Sequence, residues 1–380
     1  MEKAIVIGAG FSGATMARLL AEKGVNVTVV DKCQHIGGTA YDRQESDGII
    51  VQPYGPHVFH TEDKEVFDFL SRFTEWNKYK HRVSAVIKGK TVPIPFNLNS
   101  LFALYPKDKA DRIKRILIRE VGLDKRVPIF VLLTHFNDEV REFAKFVYDN
   151  VYKKYTKKQW GMRPEDIGES VINRVPVYVS ERNDYYDDEF QVMPKKGFTE
   201  LIANMLCHPK IRLKLGTDAT RYLALYNGKI YWQGKEFNGD VFYTGKIDEL
   251  FRNKYGALGY RTSVYKFKEY KLSSYQNTAV VNCTVHKRCT RITEFTKFTS
   301  PPKKRTVIAR EYSKKYRRGD VACFPVLITK NLDMHEKYKK EAKAYPKLHL
   351  LGRLPTYKLM NMSQSVKEAF NLFNDLTDGE

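Results

Sequence analysis

The run Gly8-Ala9-Gly10-Phe11-Ser12-Gly13 constrains this chain more than any other stretch. An apolar segment at residues 3–7, Lys-Ala-Ile-Val-Ile, leads into it. A helical pattern follows through Leu19 and Leu20 to Gly24, and Val25-Asn26-Val27-Thr28-Val29-Val30 then ends in Asp31. This reads as strand, Gly-rich turn, helix and strand with a terminal acid. Gly8 permits the tight turn, Gly10 lets backbone approach a pyrophosphate, and Gly13 lets helix pack on strand. The helix start would then face phosphates with unpaired N–H groups and a positive dipole end. Asp31, 18 residues after Gly13, is placed to accept hydrogen bonds from a ribose diol. A lone G-x-G-x-x-G is weak evidence, since an ordinary Gly-rich turn can carry it. With strand, helix, strand and acid in register, the pattern predicts a doubly wound, dinucleotide-binding α/β domain.

After Asp31 the chain reads Lys32-Cys33-Gln34-His35-Ile36-Gly37-Gly38-Thr39-Ala40-Tyr41-Asp42. A second glycine pair soon after the acid is more typical of flavin-binding chains than of nicotinamide dehydrogenases. It lets another stretch of backbone lie close to the cofactor. Taken alone, it could equally be a plain turn.

With 380 residues, 42% of them hydrophobic and 29% charged, the chain can bury a sizeable core in two or three domains. No window approaches 18 uninterrupted apolar residues, so no membrane-spanning helix is expected. The apolar N-terminus carries an acid at position 2 and runs into turn chemistry. It therefore reads as a strand of an unsecreted, cytoplasmic protein. Five scattered cysteines without a CxxC pair argue for reduced thiols, against a disulfide scaffold and against a zinc ribbon. No metal is expected. The net charge of +21 is spread along the whole length, with local runs at 153–158, 303–305 and 314–318. Nucleic-acid binding would want a basic recognition element with interleaved aromatics, which is lacking, so no nucleic-acid partner is expected. Scattered solvated lysines account for the charge, which bears on solubility and steering and not on fold.

Residues 81–98 read as strands. Residues 99–160 read as mostly helical, with apolar positions at Ile113, Ile116 and Leu117 and at Val140, Phe143, Phe146 and Val147. Residues 171–192 turn extended and acidic-aromatic, and 197–206 suggest a helix. Short β-like runs follow at 219–225, 229–232, 241–243, 263–267, 279–284 and 306–308. Residues 348–351 form a strand into Gly352-Arg353, and a last helix runs from about 363–365 to 376. No repeat or low-complexity linker appears, so interleaved domains are expected.

Several signatures occur in order. After the glycine loops come Tyr54-Gly55-Pro56-His57-Val58-Phe59-His60-Thr61, Pro95-Phe96-Asn97 and Tyr155-Thr156-Lys157-Lys158-Gln159-Trp160. Arg174 in an Arg-Val-Pro-Val run, Asp184-Tyr185, Tyr243-Thr244-Gly245 and Tyr260-Arg261 follow. Thr290-Arg291-Ile292-Thr293-Glu294, Glu311-Tyr312 and Gly352-Arg353-Leu354 complete the set. Together they resemble the bacterial UDP-galactopyranose mutase family over essentially the whole chain. The resemblance implies an FAD-binding doubly wound domain made of 1–78, 194–257 and 341–380. It implies a helical domain over 99–174, with a mobile lid around 161–174. It also implies an antiparallel sheet domain made of 79–98, 175–193 and 258–340.

The implied activity is a pyranose–furanose isomerisation of a nucleotide sugar of the UDP-galactose type. In that family, reduced FAD attacks the anomeric carbon and forms a covalent flavin–sugar adduct, without net redox change. An external reductant such as NAD(P)H and a homodimer are implied with it. Cofactor contacts fall by resemblance on Gly8, Gly10, Phe11, Ser12, Gly13, Asp31, Lys32, Gly38, Thr39, His57, His60, Thr244, Arg353 and Met362. Substrate contacts fall on Phe96, Asn97, Tyr155, Trp160, Arg174, Tyr185, Arg291, Phe324, Leu359 and Asn361. Arg174, Arg291 and His60 are the candidate catalytic residues. Guanidinium groups suit a diphosphate leaving group because they are always charged and fork onto phosphate oxygens. Tyr155 and Trp160 match nucleobase-stacking residues, with core packing as the plainer reading. His60 matches a histidine beside the flavin, and Arg353 an arginine that would stabilise reduced flavin.

Three positions depart from the family pattern. Phe324 and Leu359 stand where the family has tyrosines, and Asn361 where it has an aspartate. The first two remove hydroxyls that would touch the diphosphate, and the third removes a negative charge near substrate. The flavin half shows no comparable change. This combination points to another sugar, such as a pentose (UDP-arabinose) or a deoxy or N-acetyl sugar. An FAD amine-oxidase-like oxidoreductase shares the N-terminal half but has no use for Tyr155, Trp160, Arg174 and Arg291.

Overall fold

The computed structural model describes residues 1–167, 175–285, 288–298 and 304–377. Its opening unit is β1 (Lys3–Ile7), α1 (Phe11–Glu22) and β2 (Asn26–Val30). β1 is buried at every position after Lys3, as an apolar run covered on both sheet faces should be. It lies inside a five-stranded parallel sheet, in the order Ile211–Lys214, β2, β1, Asp240–Tyr243, Leu348–Leu350. Backbone bonds continue past the strand ends. Gly8 N–H donates to Val30 O (2.8 Å), Thr244 N–H to Ile7 O (3.0 Å) and Leu351 N–H to Tyr243 O (3.0 Å). Gly8, Thr244 and the turn at 351–353 therefore sit side by side at the carboxyl edge of the sheet. That edge is where doubly wound sheets take ligands.

α1 lies close on the sheet because Gly13 has no side chain: a Cβ there would stand 1.9 Å from Gly8 O. The C-terminal helix, Met362–Thr377, packs beside α1 through Val366, Ala369, Phe370 and Phe373. One expected strand start is corrected. Ala219–Arg221 is a 3-10 turn, and the strand runs over Leu223–Tyr226. Asp218 accepts hydrogen bonds from Thr220 N–H and Oγ1, and such a local cap competes with the ladder.

The second sheet has seven strands, in the order Phe324–Pro325, Tyr260–Tyr270, Thr306–Lys315, Arg291–Glu294, Val280–Asn282, Val83–Ile87, Lys90–Ile94. It was expected to be antiparallel. Five of its neighbouring pairs are, but Val83–Ile87 and Val280–Asn282 run parallel. The chain leaves this sheet after Lys90–Ile94 and returns to that edge only at Val280, so no tight turn dictates direction. Between these visits come the helices Leu98–Leu104, Lys107–Glu120, Asp138–Val147 and Lys154–Trp160. A π-helical turn, Tyr148–Lys153, joins the last two. Val6, Phe143 and Val280 belong to one contiguous core, so sheets and helices share their packing. Among the described residues, no helix is long and apolar enough to cross a membrane.

Candidate functional site

The glycine loops build a cradle from backbone. Asp31 accepts hydrogen bonds from Ala9 N–H and Cys33 N–H, both at 2.8 Å, so its carboxylate fixes the turn it follows. A carboxylate offers about four lone-pair sites, which leaves further acceptor capacity. Gly37 N–H donates to Ala9 O at 2.8 Å. A Cβ on Gly10 would lie 3.7 Å from Gly38 Cα. The second glycine pair thus docks on the first. At Gly8, φ is +110° and a Cβ would meet Thr244 Oγ1 at 1.9 Å. α1 starts at Gly10 with no side-chain cap and no acid in its first turn. Its first N–H groups are therefore open to an anion. Ser12 lies under Gly352, whose missing Cβ would meet Ser12 Oγ at 2.7 Å. Next to it, Arg353 Nη2 donates to Thr39 Oγ1 (3.3 Å), and its guanidinium lies 5.4 Å from the Phe324 ring. A floor without Cβ atoms, an uncapped helix start and a guanidinium at the rim suit a pyrophosphate-linked dinucleotide. Lys32 is exposed and Met362 half-buried, while Phe11 packs edge-on against Phe198.

Arg291 opens the strand Arg291–Glu294 of the second sheet. It pairs in register with Glu311 on the neighbouring strand, with Nε 2.7 Å from Glu311 Oε2. The approach is an ion pair without good hydrogen-bond alignment at Nε, and Coulomb attraction does not need that alignment. Nη2 donates to Tyr155 Oη at 3.1 Å. Burial works against the charge on Arg291, but the Glu311 carboxylate outweighs it and holds the guanidinium pKa above its ordinary value. Burial likewise pushes the Tyr155 hydroxyl up. Tyr155 and Trp160 share one short helix, which ends at Gly161 with φ +72°. Arg261 Nε caps that end through Gln159 O at 3.0 Å. Trp160 is only 8% exposed, with its ring 6.0 Å from Phe324.

A third wall is aromatic and histidine-rich. His60 Nδ1 lies 3.1 Å from Asp188 Oδ2, and its ring stacks on Tyr186 at 3.6 Å. Burial would raise the Asp188 carboxyl, yet the adjacent His60 imidazole holds it below the usual range, through an approach without good hydrogen-bond alignment at Nδ1. His81 lies 5.8 Å from Tyr186 and 5.5 Å from Tyr185, with Tyr79 Oη at 3.3 Å from its Nδ1. Burial drives its imidazole down to about 3, helped by the positive charge of Arg291. His57 is pushed to about 4, first by the surrounding protein and then by Arg353 and Arg291. Both histidines are neutral at pH 7. Tyr185 N–H donates to His81 O at 2.9 Å.

Other candidates have structural occupations. Phe96 is 1% exposed and packs on Phe143. Asn97 caps the helix Leu98–Leu104 through Ser100 N–H at 3.0 Å and donates to Arg182 O and Asn183 Oδ1. Asn361 and Gln364 cap the C-terminal helix reciprocally, at 2.9 and 2.8 Å. Leu359 packs against the main core. Arg174 and residues 168–173 of the expected lid lie outside the described residues. Reading the sequence left Glu311, Asp188, His81 and Tyr186 without roles. Glu311 and the 183–188 run are visible as acids, but only sheet register places Glu311 against Arg291, and only the fold brings the loop before the strand Phe190–Pro194, with Asp188, against His60.

The family model for UDP-galactopyranose mutase matches residues 150–359, and that for an NAD(P)-binding Rossmann-like domain matches residues 6–73. The dTDP-fucopyranose mutase of Escherichia coli is 34% identical, covering 97% of both chains. The probable UDP-galactopyranose mutase of Klebsiella pneumoniae is 33% identical over 96% of this chain and 92% of its own. A crystal structure of reduced UDP-galactopyranose mutase superposes with TM-score 0.75, covering 100% of this chain and 94% of that one, at 15% identity, a likeness of fold. The flavin-containing amine oxidase A of Bos taurus is 34% identical over only 23% of this chain and 17% of its own. With the double glycine cradle, these relatives indicate FAD as the dinucleotide. On this evidence the chain belongs to the UDP-galactopyranose mutase family and is an isomerase.

Proposed function

We propose that this protein interconverts the pyranose and furanose forms of a nucleotide-linked 6-deoxyhexose. The observation that carries this is the Arg291–Glu311–Tyr155 cluster, with the Phe324–Arg353 contact joining it to the cradle. A positive group fixed by a buried carboxylate is preorganised for charge developing on a leaving diphosphate. Arg174 would add a second guanidinium. Tyr155 and Trp160 supply faces for the base. Asp188 stands 3.1 Å from the Nδ1 side of His60. Bound FAD, in its reduced form, supplies the nucleophile for the anomeric carbon, with no net redox change over a turnover. An external reductant such as NAD(P)H and a homodimer belong to the same reading.

The choice of sugar rests on Phe324, which stands beside the Arg353 guanidinium and the Trp160 ring and offers no hydroxyl to a sugar or phosphate oxygen. Such an apolar wall penalises an unpaired hydroxyl and tolerates a methyl group. The similarity to a dTDP-fucopyranose mutase supports this choice, fucose being a 6-deoxy sugar. The test incubates dithionite-reduced protein with dTDP-fucose, UDP-galactose and UDP-arabinose and follows ring size by NMR. Faster conversion of the 6-deoxy sugar is expected. A wide preference for UDP-galactose would overturn the substrate assignment, and no ring interconversion in any arm would overturn the reaction.

A further inference from the structure

We propose that Cys283 and Cys289 form a peroxide-sensitive dithiol that closes into an intramolecular disulfide beside Arg291. The inference rests on geometry and is independent of the mutase reading.

The two sulfurs are 3.1 Å apart, in side chains buried to 7% and 3% exposure. They stand just beyond the paired ends of the antiparallel strands Val280–Asn282 and Arg291–Glu294. Asn282 pairs with Arg291, and Cys283 N–H donates to Thr290 O at 2.8 Å. A disulfide bond is about 2.05 Å long, so the sulfurs need approach by only about 1 Å. A cation attends them. Lys158 Nζ hydrogen-bonds to Cys283 O and reaches Cys289 O at 3.5 Å. Burial works against the charge of Lys158, and these carbonyl contacts hold the ammonium beside the backbone of both cysteines. A neighbouring cation favours thiolate, the reactive form. Cys283 and Cys289 also lie in an apolar cluster with Ile292 and Ile308, which works against thiolate. The cation is therefore what sets them apart from Cys33, where burial and then the Asp31 carboxylate push the thiol up to about 11.

The chemistry balances with hydrogen peroxide as oxidant. One thiolate attacks peroxide oxygen, giving a sulfenic acid and hydroxide. The second thiol then attacks that sulfur, forming the S–S bond and releasing water. Two thiols lose two electrons and two protons, and one peroxide becomes two waters. The bond would close the strand end that precedes Arg291. Lys158 ties this end to the helix carrying Tyr155, so oxidation tightens the wall from both sides.

The test treats the full chain with hydrogen peroxide, blocks remaining thiols and maps it with trypsin without reductant. Cleavage after Lys287 and Arg288 separates the cysteines, so a disulfide joins peptide 272–287 to peptide 289–291. That linked pair is expected, and it should vanish on reduction. It should be absent from Cys283→Ser and Cys289→Ser. Lys158→Met should slow its formation about tenfold, for want of the cation. Two unlinked, blocked peptides under conditions that fully oxidise the exposed Cys207 would overturn the proposal. An unchanged rate in Lys158→Met would overturn the role given to Lys158. Neither readout depends on turnover, so failure of the mutase reading would leave both intact.

Discussion

The glycine cradle and the Arg291 wall on the second sheet are built by different means. The cradle is mostly backbone: Gly8, Gly10, Gly13 and Gly38 serve by lacking a Cβ, and the start of α1 serves by lacking a cap. The wall is mostly side chain: Arg291, Glu311 and Tyr155 come from three separate elements and hold one another by charge and hydrogen bonds. A backbone site is intolerant of added atoms. A side-chain site tolerates volume but not loss of a charged partner. Cradle damage should therefore remove the cofactor and the fold together, whereas wall damage should divide stability from turnover.

The largest effect is expected from Gly13→Ala. Its Cβ would sit 1.9 Å from Gly8 O, and backbone must shift to relieve it. A loss of about 3 kcal/mol or more is expected, at or beyond the upper end for overpacking. Flavin absorbance and the melting temperature should fall together. A Gly13→Ala protein with normal flavin content would break the contrast.

Next comes Arg291→Ala. Catalysis should lose about 2–4 kcal/mol in kcat/KM, the scale of one preorganised charge stabiliser. The folded state should also lose about 3–5 kcal/mol, because Glu311 is left buried without its partner. Adding Glu311→Leu should restore much of the stability and none of the activity. Flavin content should hold throughout. Recovery of turnover in the double variant would show that Arg291 matters only structurally.

The wall histidine gives a pH signature. His81 is held near 3 in the folded chain, against about 6.5 when unfolded. Below pH 6.5 the unfolded state binds a proton that the folded state refuses, so stability falls as pH falls until the folded pKa is reached. Between pH 6.5 and 5 this amounts to about 2 kcal/mol. Denaturant unfolding of His81→Asn at both pH values should show a pH dependence smaller by about that much. An unchanged dependence would place the acid sensitivity elsewhere.

The smallest effect is expected from restoring the family residues with Phe324→Tyr, Leu359→Tyr and Asn361→Asp. A shift of about tenfold towards UDP-galactose over the 6-deoxy sugar is expected, roughly 1.4 kcal/mol of differential binding. Asn361→Asp should leave the helix cap intact, since aspartate caps as well as asparagine. Parallel assays on both sugars give the ratio. No change in it would mean that Phe324 does not read the sugar.

The sequence by itself determined the cradle. Its glycine loops are local: glycines at fixed offsets, a helix start and a strand-end acid all fall within residues 3–38, and Thr244, Gly352 and Arg353 join them from the ends of other strands. Backbone sterics turn such spacing directly into shape. The helical stretch was legible for the same reason, through its 3.6-residue period. The tertiary structure decided what depends on strands meeting across long intervals. Glu311 faces Arg291 and one pair of the second sheet runs parallel because of register set by packing, and Asp188 reaches His60 from the loop that leads into the strand Phe190–Pro194. It also decided that Phe96 and Asn97 have structural occupations in the core and at a helix cap. A motif names a residue type, but only burial shows whether its atoms already have partners. Side-chain pairing across a sheet leaves no periodic trace in the chain, because the partners are fixed by the folded core and not by distance along the sequence.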